Sequence, residues 1–266
     1  MPNTIVEVTV GNFAEYIAAI EEARTSLEAD ELWYRGVSKD IYWLTPSLFR
    51  NPSIKNIDDA VKIEQKLYNE YSFRSPPYDS TRRDIWDLLF LMQHYRAPTR
   101  LLDWTASPLV ALFFATARPA SVKENAVVWV IDPARWNSGV LHDISQEPEV
   151  FSTNDDMLKT YHPTDDSKSR RSAALAVEGI INNPRINAQK GKFIVFGHQL
   201  KSMEAAAQDC PVWVTGMPMI RINCKFSAVP SMSKSLSDYG MTYTSIYPDL
   251  EGLAAELKIK HGFDHV

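Results

Sequence analysis

The run QHYRAPTRLLDWTASPLVALFFAT, from Gln93 to Thr116, gathers a His, two Arg, an Asp, a Trp and several hydroxyls in front of an apolar helix. A helix that only fills a core needs none of these groups. A pocket that holds a polar ligand against a hydrophobic scaffold needs several. His94 can serve as a ligand-facing donor or general base, or its ring nitrogens can bond nearby carbonyls. Arg100 and Asp103 flank two leucines and can form an internal ion pair that holds a turn. Such a pair is costly in a core unless fully hydrogen-bonded, so it suits a site better. Thr105 and Ser107 lead into a helix through Pro108, so their hydroxyls can cap it or face a ligand. Phe113 and Phe114 read as core. The stretch points to a small-molecule or nucleotide pocket.

Those residues need elements to position them. Asp84 to His94 reads as a buried helix, with apolar residues on most sides, ended by Pro98. Arg100 to Trp104 is short and extended, and Leu109 to Ala117 continues as a buried helix with Pro108 at its first position. Upstream, Ile5 to Val10 alternates weakly as an edge strand. Asn12 caps a helix to about Ala29, and Leu32 to Gly36 is a strand stopped by glycine. Trp43 to Phe49 is a loop around Pro46, Asp58 to about Tyr71 a helix, and Ser75 to Arg83 a loop. Downstream, Ala126 to Asp132 is a valine-rich strand, and Pro133 to Trp136 a one-turn helix. The polar stretch from about Glu147 to Ser169 is a long surface loop and a candidate mobile cover. Ala173 to Ile181 is ambiguous between strand and helix. Lys192 to Gly197 and Met219 to Phe226 are strands. Ser227 to Tyr239 is a helix with Gly240 at its end, and Leu250 to Lys260 is the last helix. Strands and helices mix without a βαβ rhythm, which predicts an α+β fold with a mixed or antiparallel central sheet.

Composition narrows the function classes. With 45% hydrophobic and 23% charged residues, the 266-residue chain can build a core without staples. A formal charge of −5 gives no reason to expect tight nonspecific nucleic-acid binding. Two cysteines, Cys210 and Cys224, are too few for a disulfide framework or a cysteine-built zinc site. The six histidines are dispersed, so no metal is expected. His261 and His265, four apart, sit at a frayed end. There is no Gly-rich phosphate loop, Rossmann glycine pattern or Gly-x-Ser-x-Gly elbow. The first residues do not read as a secretory signal, and no apolar run approaches the roughly 20 residues of a membrane span. A cytoplasmic protein with no membrane partner is expected.

Four spaced segments carry a resemblance: Trp33 to Gly36 followed by Leu44 to Arg50, the Gln93 to Thr116 run, Pro184 to Phe193, and Ser245 to Leu253. Together they resemble the FRG domain family, named for a Phe-Arg-Gly tripeptide that reads Tyr34-Arg35-Gly36 here. Arg96 departs from the pattern, where the family tends to have Gly. The first two segments are also similar to the arginine–serine–glutamate class of ADP-ribosyltransferases. That similarity implies NAD as substrate. Arg35 would pair with phosphate oxygens through its rigid fork, Thr105 and Ser107 would hold the ribose side, and Trp104 or Tyr95 would stack on a planar ring. Gln189 stands where that class has its glutamate. It can bond a ribose but carries no charge to stabilise a developing cation, and Glu178 is a nearby substitute. Read without the family, Arg35 could form an ion pair with Asp103, and Gln189 before Gly191 could satisfy a strand bulge.

The sequence thus predicts a single domain over residues 1–266, with a motif core at about 30–200 and residues 211–266 packed on it. The leading expectation is an ADP-ribosyltransferase-like protein that binds NAD or a related nucleotide. Its acceptor would be a protein or nucleic acid, and by analogy its setting that of a bacterial or phage toxin or defence effector. Arg35, Ser107, Gln189 and His94 are the candidate catalytic residues. Tyr95, Arg100, Asp103, Trp104 and Thr105 join Arg35 and Ser107 as binding residues. The alternative is a non-catalytic module that binds a nucleotide, nucleic acid or protein, with Arg96, Lys168, Arg170 and Arg171 on one face. A third reading is a hydrolase that cleaves a glycosidic bond with Asp103 or Glu178 near Arg35.

Overall fold

A computed structural model of the chain describes residues 5–263 apart from 82, 118–122, 145–148, 165–170, 182, 214, 215 and 217. In chain order the elements are β1 (Val6–Val10), α1 (Phe13–Leu27), β2 (Trp33–Val37), α2 (Ile57–Arg74), α3 (Ile85–His94), β3 (Leu101–Thr105) and α4 (Pro108–Thr116). Then follow β4 (Ala126–Ile131), α5 (Pro133–Val140), α6 (Asp156–Lys159), β5 (Leu175–Val177), α7 (Pro184–Ala188), β6 (Gly191–Val195) and α8 (Met203–Asp209). The last are β7 (Met219–Cys224), α9 (Val229–Asp238), α10 (Tyr243–Ile246) and α11 (Leu250–Lys260). Side chains set the helix starts: Asn12, Asp84 and Ser107 accept from the N–H groups of Glu15, Asp87 and Val110. Caps of this kind contribute about 1 kcal/mol each.

The strands form one seven-stranded sheet in the order β1-β7-β4-β2-β3-β6-β5. β1 runs parallel to β7 and every other pair is antiparallel, so the sheet is mixed and the fold is α+β. Alternation along the strands separates the two faces. On one face, Tyr34, Val128, Val130, Ile220 and Ile222 pack under α1, α4 and α9. Farther along that face, Leu101, Phe193, Val195 and Leu175 pack under α3. The opposite face is rich in tryptophan: Trp33, Trp104 and Trp129 lie with Trp136 and Trp213. α4 can sit on β2 because residue 36 is glycine. A Cβ there would come 1.8 Å from the Ala111 carbonyl oxygen.

Several expectations need correction. α3 ends at His94 as expected, but the turn out of it is made ahead of Pro98, by Arg96 in the left-handed region at φ 60°. β2 runs one residue beyond Gly36. α5 makes two turns, because Asn137 continues it inward to bond β5: its amide donates to the Ala176 oxygen and its oxygen accepts from the Ala176 N–H. The stretch expected as a mobile cover is packed where it is described. Phe151, Leu158 and Tyr161 are buried, and Phe151 bridges Val177 of β5. Its polar background hid three widely spaced core residues. The short helices α6, α7, α8 and α10 went unforeseen, being too brief for a periodic signal. None of the described helices is long and apolar enough to cross a membrane.

Candidate functional site

The site begins with a discontinuity in the sheet. β2 and β3 are adjacent, yet they pair only at Tyr34 and Thr105. Each is fully laddered on its other side, β2 to β4 over five residue pairs and β3 to β6 over five. Across the opening, the Arg35 guanidinium donates to the main-chain oxygen of Asp103. A cleft of about 630 Å³ lies here, within the range of small-molecule sites. Its floor is Arg35, Asp103 and Trp104. α3 supplies Gln93 and His94, and the loop after β2 supplies Trp43 and Arg50. The far wall is Arg185 and Gln189 at α7, with Tyr247 beyond α10. Gly252 lets α11 close against this wall, since a Cβ there would meet the Tyr247 carbonyl oxygen at 2.0 Å.

Among the described residues that line the cleft, Asp103 is the single carboxylate, against Arg35, Arg50, Arg96 and Arg185. A hydrogen-bond chain fixes its orientation. The Leu101 N–H donates to Thr99 Oγ1 at 3.1 Å, Thr99 Oγ1 donates to Gln93 Oε1 at 2.5 Å, and Gln93 Nε2 donates to Asp103 Oδ2 at 2.8 Å. With its oxygen occupied by Thr99, the Gln93 amide has only its N–H side to offer Asp103. The carboxylate is open to the cleft but crowded by protein elsewhere. That desolvation raises its pKa, while Arg35 and the Gln93 bond pull it down. Desolvation also lowers the pKa of half-buried His94, as does the Arg185 charge, with Asp249 and Asp103 acting the other way.

The arginines are committed to different degrees. Arg185 is held by Asp249 and Glu251, both at 2.5 Å, and lies over the Tyr247 ring at 5.1 Å. Arg50 donates from Nε and Nη2 to the Thr45 oxygen at 3.0 and 2.7 Å. Arg35 keeps a buried Nε without a hydrogen-bond partner among the described residues. The charge that a ligand meets therefore comes mainly from Arg35, Arg50 and Arg96. Among the described residues no group of three His, Cys, Asp or Glu side chains could hold a metal ion.

Of the residues singled out by sequence, Arg35, His94, Asp103, Trp104, Thr105 and Gln189 line the cleft. Thr105 donates its hydroxyl to the Gln189 carbonyl oxygen at 2.6 Å, and the Gln189 amide donates to the Ile246 oxygen at 3.2 Å. Three placements are corrected. Ser107 does not line the cleft; its hydroxyl accepts from the Val110 N–H and caps α4. Tyr95 faces away, into a second groove of about 620 Å³ beside Tyr71 and Tyr78, because the helix has ended and the chain is turning there. Arg100 is buried outside the cleft, paired not with Asp103 but with Glu64 of α2 at 2.8 Å, and it donates to the Tyr161 oxygen. β-strand alternation puts Arg100 and Asp103 out of reach of a simple pair. Glu178 binds Lys192 at 2.7 Å and does not line the cleft.

Sequence reasoning gave no role to Trp43, Arg50, Arg185 or Tyr247. The last three lie within the quoted motifs and Trp43 adjoins one, so the motif boundaries held the signal. Of the basic face considered for the alternative reading, Arg96 lines the cleft and Arg171 pairs with Asp143 at 3.5 Å elsewhere. Lys168 and Arg170, like His265, lie outside the described residues.

No curated protein and no solved structure matches the chain. The family model described as FRG domain matches residues 30–124. That segment contains β2, the loop with Trp43 and Arg50, α2, α3, β3 and α4. It therefore holds the cleft floor and the Thr99–Gln93–Asp103 chain. The match covers the first two of the four segments that carry the resemblance; Pro184 to Phe193 and Ser245 to Leu253 lie outside it. The chain contains an FRG domain at residues 30–124.

Proposed function

We propose that the cleft binds NAD or a related nucleotide and that Asp103 assists cleavage of its glycosidic bond. What carries this reading is the carboxylate of Asp103, fixed by Gln93, in a cleft whose described lining also holds four arginines and no second carboxylate. Arginine guanidinium groups suit phosphate oxygens. A carboxylate beside the sugar stabilises the positive charge that develops at the anomeric carbon as the bonding pair leaves with the base. Water or another acceptor oxygen then bonds that carbon, and its proton passes to the carboxylate. The expected transferase arrangement through Ser107 is not adopted in this reading, because that hydroxyl caps α4.

The test is calorimetric titration with NAD, followed by assay of released nicotinamide, for wild type and Asp103→Asn. Wild type binds and releases nicotinamide; the variant binds and releases none. Wild-type release by Asp103→Asn removes the carboxylate from the chemistry. Binding without release by wild type leaves a nucleotide-binding module. No binding by wild type ends the nucleotide reading.

A further inference from the structure

The loop after β2 exposes three consecutive large apolar side chains, Ile41 at 63%, Tyr42 at 49% and Trp43 at 68%, and all three border the cleft. Such a run in solvent marks a surface that something covers. The loop is not slack. The Tyr42 N–H donates to the Lys39 oxygen at 3.2 Å and the Thr45 N–H to the Trp43 oxygen at 2.8 Å. The next residue, Leu44, is fully buried. Its N–H donates to Glu204 Oε1 at 2.9 Å, and its oxygen accepts from the Met203 N–H at 3.1 Å. Beyond it, the two Arg50 donations grip the Thr45 oxygen. Trp43 is thus held out at the cleft mouth on a backbone pinned to α8 and to Arg50. Fixing a side chain before binding removes an ordering cost that the ligand would otherwise meet.

We propose that Trp43 is the stacking platform for the planar heteroaromatic ring of a nucleotide whose phosphates face Arg50 and Arg96. The proposal rests on the nucleotide reading above and adds its ring subsite. Of the two aromatics expected for this role, Trp104 lines the cleft floor but is only 3% exposed, and Tyr95 lies outside the cleft. The cationic lining selects an anionic ligand, and about 630 Å³ suits a small molecule rather than a folded partner.

The experiment titrates ADP and, separately, inorganic pyrophosphate into wild type, Trp43→Ala and Trp43→Phe. Trp43 is exposed and its side chain makes no hydrogen bond among the described residues, and thermal melts of all three check that the substitutions leave the fold intact. Trp43→Ala weakens ADP binding roughly tenfold or more, as expected for loss of one ring stack. Pyrophosphate affinity stays unchanged, and Trp43→Phe restores most of the ADP affinity. Equal losses for both ligands, no loss for ADP, or no rescue by phenylalanine would overturn the proposal. If wild type binds ADP no better than pyrophosphate, the ring subsite alone falls. If it binds neither, the nucleotide reading falls and takes the subsite with it.

Discussion

At the scale of single residues, Asp103 sets function against stability. Desolvation is the largest influence on its carboxyl and raises its pKa above the ordinary 3.8; Arg35 and Gln93 offset this only in part. The sign follows from linkage. A carboxyl with a raised folded-state pKa favours folding fully below about pH 3.8, and loses that contribution as pH rises through the folded value. Keeping Asp103 charged near neutrality therefore destabilises the fold. Asn at this position still accepts the Gln93 bond, and the Arg35 bond goes to the main chain. Asp103→Asn should melt higher than wild type at pH 7, with the two converging near pH 3.5. A lower melting temperature for the variant at pH 7 would show that the carboxylate is a net stabiliser. Arg96 is a second residue held against local preference, since φ of 60° suits glycine better than arginine. At the cleft rim that conformation turns the chain out of α3 and leaves a guanidinium on the lining.

At the scale of elements, what was readable in the sequence divides by length and by locality. α1, α3, α4 and β4 were legible, because capping residues, Pro108 and apolar periodicity act within a few residues of where they are written. The partner of Arg100 was not legible, because it depends on where α2 lies relative to β3, and no local pattern encodes that. For the same reason the Gln93–Asp103 bond was hidden although both residues stood in the highlighted run. Trp43 read as an ordinary loop aromatic until the pinning of Leu44 by α8 was visible. Arg100 shows what such a tertiary contact contributes. Its side chain and that of Glu64 are each 3% exposed, and it also donates to the Phe196 and Tyr161 oxygens. It joins α2, the end of β6 and the segment after α6. Removing one partner strands a buried charge, which costs about 3–5 kcal/mol. Arg100→Met should lower the urea midpoint accordingly, and adding Glu64→Leu should recover part of the loss, because the stranded carboxylate is then gone. A midpoint within error of wild type for Arg100→Met would mean that water reaches Glu64 and the pair is not buried in solution.

At the scale of the whole molecule, the segment that carries the family match does not carry its own sheet. Among the described residues of 30–124 there are two strands, β2 and β3, and these meet at one residue pair. Their full ladders run to β4 and β6, which begin at Ala126 and Gly191. The apolar faces of β2 and α4 are likewise completed by β7 and α9 from later in the chain, and by α1 from before residue 30. The far wall of the cleft comes from Arg185, Gln189 and Tyr247, the last tied in by the Gln189–Ile246 bond and the Arg185 pairs. α4 still packs on β2 within this segment, but two strands that share one residue pair leave nearly all of their ladder N–H and C=O groups unpaired once β4 and β6 are gone. The opening between β2 and β3 that makes the cleft is thus affordable only because each strand is anchored on its outer side. Residues 30–124 expressed alone should give a poorly dispersed amide proton spectrum and no cooperative melt, while residues 1–266 melt in one transition. A dispersed spectrum and a sharp melt from the short fragment would mean that the family segment is itself the folding unit, and that the flanking strands decorate the cleft rather than create it.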